Sequence, residues 1–485
     1  MSRPFALSKR FPLLLGRGCA GLLVFASASA WAGGFEFPAN GTEALGRGGA
    51  FTAKADSPLA LEYNVAGLAN LRGTRLLFDN NLILSSYRFT STSAVGMGAN
   101  PVTDSAGPFY APWFGLTSDF GYFDRVTFAI GVYGPSSMGH RTYDADGAGR
   151  YDIVKTNLLV VFPTLAVGFK LHRVIDLGVS LAGVVGSYQL GTAANAVLPP
   201  DCTKPQTRAC DTTTDLDIKS AIDPVLSVGV MLHPLRSLDV GLNVRSAPNL
   251  GAKDVSAKGT LTAGYTPGSK LPNVPLDVQD TTFTANLPWV IRGGVRYVMR
   301  KERREIFDAE LDVVYELWSK AQGDGNRIDS LSPLNGQALT ILSPHRYLDT
   351  YSIRLGGAFN QPVGAALLTA RLGAYYDSSA SPPEFQRMDF DTLAKVAGTV
   401  GAGLRVRGFT LNLAYAFVQS LSRTVTNGQL LPVNGTSADG NWPAGMQPPA
   451  VNNGTYEGRN HLVSVGIGLL FEELVRGDRW TRRDR

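Results

Sequence analysis

The chain has 485 residues, a formal net charge of +5 and 18% charged residues, fewer than the roughly 25% of an ordinary soluble domain, while Gly (54), Phe (23) and Tyr (17) are abundant. A mean hydropathy of zero excludes a polytopic helical membrane protein, which needs repeated apolar runs of about 20 residues. It suits a β-barrel, in which only alternate residues meet lipid, and the dispersed positive charge excludes a nucleic-acid partner.

Residues 1–32 read as a secretory signal. Arg3, Lys9, Arg10 and Arg17 form a basic leader, Gly21 to Ala28 a short apolar core, and small residues allow cleavage after Ala30 or Ala32. The apolar run is too short for a membrane helix. Cys19 follows Gly16-Arg17-Gly18, which places a charge where lipid attachment needs small residues. Residues 33–73 come next, rich in Gly and Ala, without helical or alternating period. A stretch this short is no domain. It reads as a plug, or hatch, filling the lumen of a barrel made by residues 74–471.

From Arg75 onward the apolar period is 2, the period of a strand. Phe409, Leu411, Leu413, Tyr415 and Phe417 share one face; so do Val463, Val465, Ile467, Leu469 and Phe471. In Phe307–Trp318, Phe307, Leu311, Val313, Tyr315 and Leu317 oppose Asp308, Glu310, Asp312 and Glu316. In Phe283–Met299 the apolar face runs from Phe283, Ala285, Leu287 and Trp289 to Ile291, Val295, Tyr297 and Met299, opposite Arg292 and Arg296. Such segments number about fourteen, with strand 8 at 281–299. Long connections (91–109, 135–154, 191–215, 251–280, 320–345, 378–391 and 421–456) alternate with short turns. That alternation fits an all-β, up-and-down antiparallel transmembrane barrel with long outer loops and short periplasmic turns. A Greek-key sandwich has no reason to show it. The expected location is the outer membrane of a Gram-negative bacterium. The charged tail, 472–485, is expected to be a disordered periplasmic extension.

Cys202 and Cys210 share a polar, proline-containing loop and are expected to form a disulfide in an oxidising compartment. None of the five His residues lies close enough in sequence to complete a metal site, and no cofactor is implied. Alternation points Arg245, Arg292, Arg296, Arg354, Arg371, Lys395 and Arg405 inward, facing the acidic row of strand 9. An ion-pair network anchoring the hatch is one reading. The second is that Arg354 and Arg371, on adjacent strands, bind a substrate carboxylate. A wall-mounted serine hydrolase would need a Ser–His pair; His172 and His233 sit in short turns, and His140 precedes Arg141-Thr142, so no enzyme is expected. A general hydrophilic porin, or a purely structural or adhesive barrel, would share this strand pattern with a transporter.

The hatch sequence TEALGRGGAFTAKADSPLALEYNVAGLANLRG resembles the N-terminal hatch of the FadL/TodX family of outer-membrane transporters for long-chain fatty acids and aromatic hydrocarbons. Tyr63, Asn64, Val65, Ala66 and Gly67, followed by Leu68-Ala69, carry its core motif, with Val65 where the family has Pro. The segments Leu311–Ser319, Asp349–Phe359 and Ala370–Ser379 are similar to the family's Asp/aromatic/Trp-Ser, Asp-Thr…Arg-Leu-Gly and Arg-Ala-Gly-Tyr strands. The resemblance implies fourteen strands plus hatch, passive passage of hydrophobic small molecules and sideways exit into outer-membrane lipid, by a monomer. Apolar helical loops after strands 5 and 7 often form the family's first capture groove. Here the former is polar, and in the latter Leu271, Val274 and Leu276 form a modest apolar lip or simply pack on their neighbours.

Overall fold

A computed structural model describes residues 40–93, 98–134, 139–195, 211–220, 222–252, 255–265, 276–302, 304–322, 325–331, 338–431 and 450–476. The expected signal, the Cys202–Cys210 disulfide and the residues 477–485 lie outside that range, as do Leu271 and Val274.

Antiparallel pairing joins fourteen wall strands in chain order. They are β1 (Arg75–Ser91), β2 (Phe109–Ser118), β3 (Val126–Tyr133), β4 (Lys155–His172) and β5 (Ile175–Asn195). β6 follows in two pieces (Asp211–Ser220, Asp223–Leu235), as do β7 (Leu238–Arg245, Val255–Tyr265) and β8 (Leu276–Ala285, Val290–Lys301). The circuit continues through β9 (Arg304–Glu316), β10 (Thr350–Val363), β11 (Ala366–Asp377), β12 (Lys395–Val406), β13 (Phe409–Ser420) and β14 (Gly454–Leu470). β14 pairs back onto β1 from Arg75↔Leu470 to Ser91↔Gly454, which closes the barrel. Closure leaves the barrel without a terminal edge strand and so limits unpaired backbone in lipid, where each such group costs several kcal/mol.

Faces follow the alternation. Val463, Val465, Ile467, Leu311 and Val313 point outward and are exposed, whereas Ser464, Asp308, Glu310 and Asp312 are buried inside. Strand 8 departs from the expected continuous 281–299. Its ladder stops at Ala285 and resumes at Val290, because Pro288 supplies no N–H to a ladder. The break also exchanges faces: Phe283 and Leu287 pack against the luminal core, while Ile291, Val295 and Tyr297 face out. Freed carbonyls find new donors, Leu317 N to Trp289 O at 3.0 Å and Gln322 Nε2 to Asn286 O at 2.7 Å.

Two stretches expected to be loops are largely wall. Within 251–280, the upper pieces of β7 and β8 pair with each other, and Leu276 opens the second of them. Within 320–345, a hairpin of Asn326–Leu331 and Ala338–Ser343 pairs with upper β8. The tail also differs from expectation in its first turn. Phe471–Arg476 is helical, with Glu472 accepting from Thr74 N at 2.9 Å and Glu473 from Arg405 at 3.0 Å. Those bonds fix residues that charge alone would have left solvated.

Candidate functional site

Residues 40–73 contain no strand. They fold as two single-turn helices (Thr42–Leu45, Ala60–Tyr63) and a 3-10 turn (Val65–Asn70), nearly all of it buried. Their partners lie around the whole inner wall. Thr42 Oγ1 meets Ser464 Oγ of β14 at 2.7 Å, Asn70 donates to Asp176 of β5 at 2.6 Å, and Leu71 O accepts from Thr127 of β3 at 2.9 Å.

The acidic row of β9 holds the centre of this segment. Arg47, fully buried, reaches Asp308 at 2.6 Å and Glu310 at 3.1 Å. Phe51 N and Thr52 N both donate to Asp312 at 2.9 Å. Ala53 N and Lys54 N donate to Glu310 at 2.6 and 3.2 Å. Four successive amides thus spend their hydrogens on two carboxylates, and charge-assisted bonds of this kind are about twice as strong as neutral ones. Arg296 pairs with Asp308 at 3.3 Å and Asp239 at 3.2 Å, and with Glu305.

The expected motif residues are all buried. Asn64 caps the 3-10 turn by accepting from Ala66 N at 3.1 Å and donates to Thr52 O at 3.0 Å. Val65 N donates to Asn243 of β7 at 3.3 Å. A Cβ on Gly67 would lie 2.1 Å from Ala55 O, so only glycine fits. The wall repeats this close fit: a Cβ on Gly178, Gly241 or Gly356 would come within 2.2, 2.4 or 2.0 Å of the backbone of Val65, Thr52 or Arg47. Tyr63 Oη donates to Asn40 O at 2.8 Å and accepts from Asn40 N at 3.0 Å.

Of the two expected carboxylate binders, Arg371 donates to Glu43 of the hatch segment at 3.2 Å and to Asn412 at 3.0 Å. Arg354 is buried beside Tyr375, 5.9 Å from its ring centre. Arg371 pairs in register with Ala358, four residues along β10 from Arg354, so the two guanidiniums sit at different depths.

Above this segment the lumen is apolar on one side. Leu158, Val160, Val184, Tyr188, Ile218, Phe283 and Phe390 line a cleft of about 80 Å³. Phe390 comes from the outer loop after β11 and joins the same buried core. Buried groups pin that loop: Arg387 meets Asp152 at 2.8 Å, and His345 meets Asp389 at 2.8 Å. Burial pushes the Asp152 carboxyl up to about 6, against the pull of Arg387. Burial acts likewise on Asp389, but His345 and Arg387 outweigh it and hold that group below its ordinary value. Rings continue through the core. Tyr188 lies 5.0 Å from Phe283, Phe162 is 5.6 Å from Tyr133, and Tyr133 is 6.3 Å from Trp113.

The trio of Phe162, Tyr133 and Trp113 ends where the wall is interrupted. The β2–β3 ladder covers Phe114–Ser118; β3 stops at Tyr133, and β4 regains a partner on that side at Arg141. Among the described residues, Phe109–Trp113 therefore pair with β1 but with no strand on the β3 side. Asn40 Nδ2 fills in, donating to Gly134 O at 2.6 Å, while its Oδ1 accepts from Asn81 at 2.9 Å. No sequence signal singles out Asn40 or Gly134, since the contact joins residues 94 apart. Beneath the segment lies a different space, a vestibule of about 790 Å³ bordered by Lys54, Asp56, Arg75, Arg300, Arg304 and Arg405.

Comparison with known proteins agrees with this architecture. Residues 23–433 match the family described as outer membrane protein transport protein (OMPP1/FadL/TodX). A protein of Neisseria meningitidis serogroup B, named as an outer-membrane protein, is 30% identical over 154 residues. The match spans 31% of each chain, so the chain covers about a third of that relative's length. Among solved structures, a Pseudomonas aeruginosa FadL homologue superposes with a TM-score of 0.70 at 14% identity, covering 90% of this chain and 100% of the other. The toluene transporter TbuX of Ralstonia pickettii gives 0.62 at 14% identity, covering 89% and 98%. At these identities the likeness is one of fold.

Proposed function

Because the chain belongs to the OMPP1/FadL/TodX family of outer-membrane transport proteins, and is thus a transporter of hydrophobic small molecules and not an enzyme, we propose that it passes compact apolar compounds, aromatic hydrocarbons foremost, from the upper cleft sideways into the bilayer. The observation that carries this reading is that the cleft pair Tyr188–Phe283 and the ring trio Phe162–Tyr133–Trp113 beside the interrupted wall share one buried apolar core. A solute gains about 0.8 kcal/mol per buried methylene on entering such a site. Residues 33–73 act as a hatch that must shift locally, because Asn40 occupies the wall opening. The vestibule below mixes charged groups with Leu76, Ile306, Leu367 and Leu404 and is the wider space, so it holds a small apolar solute less closely than the cleft does. The protein works as a monomer with its outer face in lipid.

Long-chain fatty acids are the second reading, favoured by the buried guanidinium of Arg354 facing the lumen. In it, Arg354 and Arg371 hold the carboxylate. Uptake of labelled toluene and oleate by cells with and without the protein tests both. Toluene uptake that depends on the protein supports the first reading, oleate uptake the second, and unchanged uptake of both removes the transport proposal.

A further inference from the structure

The upper cleft is apolar except for the hydroxyls of Ser187 and Tyr188 and a rim of amides. Gln322 ends the short helix Trp318–Gln322, and Asn326 opens the hairpin that follows it. Both line the cleft, with only 3% and 4% of their surfaces exposed. Gln322 Nε2 donates to Asn286 O at 2.7 Å. That bond fixes which end of the amide is which, so Oε1 is an oriented acceptor. Among the described residues neither Gln322 Oε1 nor Asn326 Oδ1 has a hydrogen-bond partner. A buried acceptor left unmade is expensive, and native interiors seldom keep one without a reason.

We infer that the cleft is built for an uncharged, single-ring molecule carrying a hydroxyl donor, with Gln322 Oε1 accepting its proton and Asn326 as the second acceptor. This deepens the transport reading and rests on it. Both unmet atoms are acceptors, so an ether or ketone would place oxygen against oxygen. Among the described residues no Lys, Arg, Asp or Glu lines the cleft, so a carboxylate or ammonium would enter without a counter-charge, at high cost. Size limits the ligand further. A cavity that holds benzene is about 150 Å³, whereas this one is about 80 Å³, so its walls must open to nearly twice that volume to admit one ring, and much further for a long acyl chain. Water could meet the acceptors yet would leave Phe283, Tyr188 and Phe390 facing it; a hydroxylated ring satisfies both surfaces.

The test compares p-cresol with toluene, which differ by the hydroxyl alone. Protein-dependent initial uptake of each labelled compound is measured in cells lacking general porins, with wild-type protein, Gln322→Leu and Asn326→Leu, each checked for barrel folding by heat-modified gel mobility. The expected result is about tenfold faster uptake of p-cresol than of toluene at low concentration, with the ratio of the two rates falling to about one in Gln322→Leu and reduced in Asn326→Leu. Equal uptake of the two compounds, or a preference that survives both substitutions in folded protein, overturns the inference and leaves the transport reading standing. If uptake of neither compound depends on the protein, the transport reading falls and the inference with it.

Discussion

The two spaces on either side of the hatch differ in size, chemistry and construction. The lower vestibule is large, about 790 Å³, and bordered by Lys54, Arg75, Arg300, Arg304 and Arg405. The upper cleft is about a tenth as large and walled by Leu158, Ile218, Tyr188 and Phe283. Water fills the first without cost, but the second rewards apolar solutes. Residues 40–73 therefore lie between a wide space of mixed charged and apolar lining and a small apolar one. An apolar solute held above them has better neighbours in the lipid beside Tyr133 than in the vestibule beneath.

Removing the partition should have the largest effect. Deleting Gly41–Leu71 joins the two spaces, and single-channel conductance in planar bilayers should rise several-fold; unchanged conductance would show that these residues do not block the lumen. The double substitution Glu310→Ala, Asp312→Ala comes next. It leaves four amides at 51–54 without acceptors, at about 1–3 kcal/mol each. A cysteine placed at Ala53, buried in the native protein, should then react with a water-soluble maleimide at least about tenfold faster. Slow labelling in the double variant would mean that the hatch is held elsewhere. Gly67→Val tests packing alone, since its side chain must displace Ala55. The thermal midpoint should fall by several degrees with little change in conductance. Phe283→Ala should have the smallest effect, trimming the apolar cleft only: toluene uptake falls about three- to tenfold while conductance stays at the wild-type level.

Much of the hold on residues 40–73 is legible in the chain. Asp308, Glu310 and Asp312 alternate with Phe307, Leu311 and Val313, and a strand that puts the second set in lipid must put the first in the lumen. The inward arginines follow from the same parity. The apolar cleft is less legible. Phe283 and Ile291 have the same parity, and the face exchange between them depends on how the chain passes Pro288, which periodicity does not encode. The Asn40–Gly134 bond and the cleft amides Gln322 and Asn326 depend on where breaks in separate strands meet in space. Local pattern carries no information about such meetings. The stretches after lower β7 and after β9 hide their strands for a related reason: short paired strands such as Val255–Tyr265 and Asn326–Leu331 lack the long apolar alternation that lipid imposes.

The wall glycines carry a consequence of their own. Gly178, Gly241 and Gly356 lie on β5, β7 and β10, and each yields its missing side chain to hatch backbone. The inner surface is thus a mould, with the hollow distributed over strands far apart in sequence. A designer who wished to exchange this hatch for another insert would have to recut the mould strand by strand. One who wished to keep the barrel and dispense with the insert would inherit a row of dents, each a place where a methyl group could be added to a wall that no longer has anything to accommodate.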